Sequence, residues 1–452
     1  MESICPIDSR CANEIAALLS PPSPLQVQEY YHKLLSARKC SSIIVQQDEN
    51  FGKGVYAAID FNDAELVLKD QMLVGVQHSS NKIDCFVCSS CFCFLGSIEL
   101  QIGRRLYMQE VGASESHNCD MSDSSNASKY NNDTYSSDGE ESSYKKREDG
   151  AGECSFSSPE AKVHVPEGVV QSLMNGHMML PYSNKFSLPP AVPCPGGCGE
   201  SFYCSTSCAE ADWKSCHSLI CTGEKSDTAR REALLKFIKH ANETNDIFLL
   251  AAKAISSTIV RWWDCVALPD DINSYDEVAF RMQIRDLAFE SLQLLKKAIF
   301  DRECEPLFSL EIYGHIIGMF EQNNLDLVVA SPVEDYFLYI DNLTYPEKEK
   351  AEEITQPILD ALGEDYSICC QGTAFFPLQS CMNHSCCPNA KAFKREEDRD
   401  GQATIIALTS IRKGEEITIS YVDEDLPFEE RQASLADYGF RCRCPKCIEE
   451  QP

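Results

Sequence analysis

Apolar positions along the chain change period several times, and each change predicts a different kind of element. After a proline-rich break at Pro21, Pro22 and Pro24, residues Leu25 to Leu35 carry the three-to-four spacing of a short helix. From Ser42 to Val76 the texture is strand-like (SSIIVQQ, FGKGVYAAIDF, AELVLKDQMLVGV), with turns at the glycines and at Asn62-Asp63. Helical periodicity then holds from about Ala229 to Phe320, and strand texture returns after Tyr366 in ATIIALTSI and GEEITISYV, around a turn at Lys413-Gly414. Residues 112–155 contain no Ile, Leu, Val, Phe or Trp. Such a stretch buries too little surface to offset its ordering entropy, so a disordered insertion is expected there, extending to about residue 162. Strand-rich stretches separated from a long helical one predict an α+β chain.

Composition adds size and compartment. At 452 residues the chain has room for two to four domains, since one core rarely extends past about 250–300 residues. No apolar run reaches the roughly 18 residues that a membrane span needs, and MESICPIDSR lacks the layout of a signal peptide. Membrane partners and a disulfide scaffold are therefore not expected. Forty Lys+Arg against 70 Asp+Glu give a net charge of −30. That charge repels phosphate backbones, and the densest basic run is only Lys145-Lys146-Arg147, so no direct nucleic-acid contact is expected. A cationic protein partner suits the chain better.

The chemistry is concentrated in 25 Cys beside 9 His. Cys85-x2-Cys88, Cys194-x3-Cys198, Cys204-x3-Cys208 and His217-x3-Cys221 are close ligand pairs, each presenting two donors from one tight turn; four of them make two closed zinc sites. Cys91, Cys93 and Cys216 are further thiols that compete for a place in these sets. Cys442-x-Cys444-x2-Cys447 supplies three more thiols, one short of a closed site, so the fourth ligand must come from elsewhere.

Around the middle pairs, Phe202-Tyr203-Cys204-Ser205-x2-Cys208 followed by Asp212-Trp213 resembles the MYND zinc finger. That resemblance implies interleaving, with Cys85, Cys88, Cys204 and Cys208 on one ion and Cys194, Cys198, His217 and Cys221 on a second. The segment Asn383-His384-Ser385-Cys386-Cys387-Pro388-Asn389 resembles the NHSCxPN signature of SET-domain protein lysine methyltransferases. Phe51-Gly52-Lys53-Gly54-Val55-Tyr56 precedes it and Lys413 to Tyr421 (KGEEITISY) follows it, in that family's order, ahead of the C-terminal cysteines. The interruption by a finger and a helical stretch is similar to the SET–MYND enzymes, and the split finger to their plant trithorax-related branch.

What the resemblance implies is specific. Tyr421 matches the catalytic tyrosine, which also lines the substrate channel with Tyr438. Gly52, Lys53 and Gly54 would approach the methionine part of S-adenosyl-L-methionine, Asn383 and His384 its amino group and adenine, and Phe440 would cover the adenine. Asn323 stands where relatives contact the cofactor, with Asn324 a near rival. Cys386 would complete a third zinc site with Cys442, Cys444 and Cys447.

The expected architecture is an N-terminal segment (1–39) and a β-rich SET domain in two halves (40–84 and 366–435). Between the halves lie a zinc finger (85–221) and a helical insert (222–365), and a post-SET tail (436–452) closes the chain. The expected activity is protein-lysine N-methylation, with histone tails as substrate and the nucleus, with the cytoplasm second, as location. A ribosomal target and a catalytically silent adaptor are the alternatives, and the finger offers a surface for protein partners.

Overall fold

The computed structural model describes residues 6–48, 52–117, 165–224, 226–264, 282–393 and 398–451. In chain order its strands are β1 (Ile43–Asp48), β2 (Gly52–Ala57), β3 (Leu66–Asp70), β4 (Val74–Gln77), β5 (Val192–Pro193), β6 (Phe202–Tyr203), β7 (Asn324–Val329), β8 (Cys370–Phe375), β9 (Asn383–His384), β10 (Ala390–Ala392), β11 (Ala403–Ala407) and β12 (Glu416–Ile419). They form small sheets in the orders β1-β2-β12-β9, β10-β11-β3, β4-β8-β7 and β5-β6. The two strand-rich stretches of sequence thus interleave in space: β2 pairs with β1 on one side and with β12 on the other.

The central register positions the site. β12 runs antiparallel to β2, with Ile417 opposite Val55, and parallel to β9, with Thr418 opposite Asn383 and Ile419 opposite His384. Val55, Ile417 and Ile419 point into a shared core with Ile43, Val45, Val67 and Ile405. β12 starts from a tight turn in which Gly414 takes φ +89° and donates its amide to Ala57 O. That left-handed backbone favours glycine over any residue with a Cβ.

Helix Pro24–Ala37 opens with a capping box between Ser23 and Gln26 and buries Val27, Tyr31 and Leu35 in the same core. A second large core gathers the helical insert, chiefly helices Thr228–Thr244, Ile247–Asp264, Met282–Ile299 and Leu310–Asn323, together with Ile7, Cys11 and Ile15 of the N-terminal helices. Lys253 Nζ reaches Gly75 O at 2.7 Å and ties this body to the β4 sheet.

Two expectations need correction. The stretch expected as a helical insert (222–365) also contains β7, a six-residue strand fully paired with β8. Its apolar run is short, and only a partner strand distant in sequence defines its edge. The expected disordered insertion overlaps helix Ile98–His117, which continues through residues 112–117. Once Ile98, Ile102 and Leu106 anchor the first turns in a core, further turns add at little cost. The remainder of that insertion lies outside the described residues. Among the described residues, no helix is long and apolar enough to cross a membrane.

Candidate active site and sulfur clusters

Register alone brings the Asn383-His384 dipeptide beside the end of β12, where the chain turns into Tyr421. The Tyr421 amide donates to His384 Nδ1 at 3.0 Å, and its hydroxyl donates to Met382 O at 2.6 Å. Burial, with the nearby Arg431 cation, pushes the His384 imidazole down to about 4. A neutral ring that accepts at Nδ1 carries its proton on Nε2, which lies 3.1 Å from Cys386 Sγ. His384 therefore links the tyrosine to the C-terminal sulfur cluster.

Asn383 Nδ2 donates to Glu416 Oε1 at 2.7 Å, fixing the side chain across the sheet. Asn389 staples the same strand, donating to Glu416 O at 2.8 Å and accepting from Thr418 N at 2.9 Å. Gly54 lies against this pair. A Cβ there would stand 2.8 Å from Glu416 Oε1 and 3.3 Å from Asn383 Nδ2. Gly52, at φ +74°, has open space where a Cβ would point.

Aromatic rings enclose one end. Tyr421 and Tyr438 lie 5.2 Å apart between centroids, His384 and Phe440 lie 5.9 Å apart, and Phe440 stands edge-on to Tyr421 at 6.3 Å. Burial, aided by Asp437, raises the Tyr438 hydroxyl above its usual range, so it stays a neutral donor. A cavity of about 320 Å³ opens between these rings and the start of β2; it is lined by Gly52, Lys53, Asn323, Asn383, Tyr421, Tyr438 and Phe440, with Gln322, Ser380 and Gln47. Asn323, at the end of its helix, faces the cavity, whereas Asn324 starts β7 opposite Phe375. His384 and Gly54 support the wall without being part of the lining.

Three groups of sulfur and imidazole ligands converge, with ligand atoms in each group within 4.8 Å of one another: Cys88, Cys91, Cys204 and Cys208; Cys194, Cys198, His217 and Cys221; and Cys386, Cys442, Cys444 and Cys447. A tetrahedral Zn²⁺ with bonds near 2.3 Å sets its ligand atoms about 3.8 Å apart. Representative separations fit: Cys91–Cys204 at 3.6 Å, Cys194–Cys221 at 3.7 Å and Cys447–Cys386 at 3.5 Å. All are far too long for disulfides. The second and third groups are the sets that the resemblance implied.

The first group corrects it. Cys91 takes the place assigned to Cys85, whose thiol instead points at Ile368 O, 3.6 Å away, in a core with Val87 and Phe94. The physical reason is a small hairpin: Val87 bridges Phe94, and Cys88 N donates to Cys93 O while Phe92 N donates to Cys88 O. Only the Cys88–Cys91 turn lies inside that hairpin. Cys93 Sγ is 3.5 Å from Cys91 Sγ but outside the convergent four. Cys216 turns away to Asp212, while the π-wound segment Trp213–His217 brings His217 Nε2 to 3.2 Å from Cys194 Sγ.

The third group has supports that the sequence did not reveal. Arg431, 1% exposed, reaches Cys447 Sγ at 3.8 Å and Glu450 at 2.5 Å. Gln432 donates to Cys447 Sγ at 3.2 Å and accepts from Cys442 N at 3.1 Å. A positive group beside four thiols is the signal that marks them, but it is visible only once the chain is folded.

The profile of the SET domain matches residues 52–422. The chain is similar to the histone-lysine N-methyltransferase ATXR2 of Arabidopsis thaliana, with 58% identity over 487 aligned positions that cover 100% of this chain and 99% of that protein. It is similar at lower identity to two human proteins. The protein-lysine N-trimethyltransferase SMYD5 is 25% identical over 55% of this chain and 64% of its own length. The N-lysine methyltransferase SMYD2 is 25% identical over 56% of this chain and 47% of its own length.

Proposed function

The chain belongs to the SET-domain family, and on that premise we propose that it is a protein-lysine N-methyltransferase that uses S-adenosyl-L-methionine and acts on histone tails in the nucleus. One observation carries the reading: a single cavity gathers Gly52, Lys53, Asn323, Asn383, Tyr421, Tyr438 and Phe440 from distant parts of the chain. The relative identical at 58% is named for histone-lysine methylation. The net charge of −30 agrees with a cationic substrate.

When bound, S-adenosyl-L-methionine supplies a methyl group on a sulfonium for in-line displacement by an amine. The chain's own part is alignment and desolvation. Gly52, in the lining with open space where a Cβ would point, lets the backbone of β2 approach the cofactor, and Lys53 brings a cation toward its carboxylate. Asn383, pinned by Glu416, offers an acceptor for its amino group. The aromatic walls exclude water, which disfavours the charged form of an entering lysine whose free pKa is near 10.4. They also favour its aliphatic stem and a methylammonium product. The Tyr421 hydroxyl, held on Met382 O, presents oxygen beside the transfer line.

Zinc fits each sulfur cluster, and in this reading three ions are bound. The third, through Cys386 and the C-terminal cysteines, holds Tyr438 and Phe440 over the cavity. The decisive experiment is labelled-methyl transfer from S-adenosyl-L-methionine to purified histones and, in parallel, to ribosomal proteins, with Tyr421→Phe as control. Incorporation into histones that falls at least a hundredfold in the variant is expected. Label confined to ribosomal proteins would refute the histone assignment. Equal incorporation in the variant would refute the role of Tyr421, and no transfer to any protein would favour a silent adaptor.

A further inference from the structure

The cavity has a wall that belongs to the N-terminal segment, upstream of the SET resemblance. Pro21, Pro22 and Val27 line it together with Gly52, Lys53 and Asn323. Both ends of the connection that carries the prolines are fixed. Upstream, helix Ala12–Leu18 closes with Ser20 N on Ala17 O at 3.3 Å and Ser20 Oγ on Ala16 O at 2.7 Å. Downstream, Ser23 opens helix Pro24–Ala37 through its capping box. Between them two prolines restrict the backbone and lack an N–H, so the bridge is stiff and offers the cavity an apolar face without amide donors.

The bridge joins two separately packed bodies. On its upstream side Ile7, Cys11 and Ile15 are buried with the helical insert, Asp8 Oδ1 accepts the Leu310 amide at 2.9 Å, and Arg10 pairs with Glu305. Helix Leu310–Asn323 carries that anchor at its first residue and Gln322 and Asn323, which line the cavity, at its end. On the downstream side Val27, Tyr31 and Leu35 are buried with β1 and β2, the strands that bear Gln47, Gly52 and Lys53. Part of the cavity lining therefore comes from the insert and part from the SET strands, and the proline bridge connects the two bodies along the chain.

We infer that Ser20–Ser23 form a fixed strap of the cofactor site. Pro21 and Pro22 contact bound S-adenosyl-L-methionine and hold the insert-borne Asn323 and the strand-borne Lys53 at the spacing that binds it. This rests on the cofactor reading of the cavity.

The test uses the full chain. S-adenosylhomocysteine is titrated calorimetrically into wild type and into Pro21→Gly/Pro22→Gly, and amide exchange in wild type is followed with and without it. Loosening the strap should weaken binding by about five- to tenfold. In wild type the amides of Leu19, Ser20 and Ser23 should exchange more slowly when ligand is bound, an outcome that does not depend on the variant folding. Affinity within twofold of wild type, or no protection of those amides, would overturn the strap while leaving the cofactor site standing. Failure of wild type to bind S-adenosylhomocysteine would instead overturn the cofactor reading and the strap with it.

Discussion

Replacing Gly54 by alanine tests whether Asn383 owes its position to the bare backbone of β2. The added Cβ would meet Glu416 Oε1 at 2.8 Å, Tyr56 Cε2 at 3.1 Å and Asn383 Nδ2 at 3.3 Å, all tighter than ordinary contact. The carboxylate is the mobile end of its side chain and can swing away, but it then releases Asn383, which it holds at 2.7 Å. A hydrogen bond to a charged group is worth about 1.5–3 kcal/mol. With Asn383 on the cofactor, as proposed, that loss weakens binding by roughly ten- to hundredfold, at about 1.4 kcal/mol per decade. The assay is calorimetric titration of S-adenosylhomocysteine into full-length Gly54→Ala, with bound zinc measured alongside to show that the fold is kept. Unchanged zinc with affinity within twofold of wild type would refute the claim that the Gly54–Glu416–Asn383 contact positions the site.

Two further expectations concern the sulfur clusters. Cys91→Ser should lower the zinc content of the purified protein by one ion while Cys85→Ser leaves it unchanged, as read by elemental analysis; the opposite pattern would restore Cys85 as the ligand. Cys442→Ser, or mild chelation, should abolish methyl transfer while circular dichroism of the SET core persists, because only the tail bearing Tyr438 and Phe440 is released. Full activity without the third ion would show that the tail is held by packing alone.

The resemblance named the members of the second and third sulfur groups, which the fold brings within 4.8 Å of one another, and it singled out the Asn383-His384 dipeptide and Tyr421, which lie side by side. Three of the four members of the first group were in the expected set, and one was not. CFVCSSC contains two overlapping C-x2-C pairs with identical spacing, and the choice between them depends on the Val87–Phe94 bridge, a tertiary feature. β7 was hidden because LDLVV is short and its register comes from β8, more than forty residues downstream. Pro21 and Pro22 read as a break between elements, which they are; their place at the cavity follows from two cores packing on either side of them, and no local pattern encodes that. Arg431 and Gln432 likewise gained meaning only from the tail folded against them.

The pairing of β2 with β12 also sets a timetable for biosynthesis. β2 finds β1 almost at once, since their register closes within a few residues. Its other edge receives Glu416 and Ile417, some 360 residues later. At about 5–20 residues per second, that edge waits roughly 20–70 s on the ribosome before its partner is made. During that interval an unpaired strand edge bearing Val55 is open to wrong pairing. The nascent chain should therefore depend on chaperones more than its length alone suggests, and catalytic competence should arise only as Cys442, Cys444 and Cys447 leave the exit tunnel.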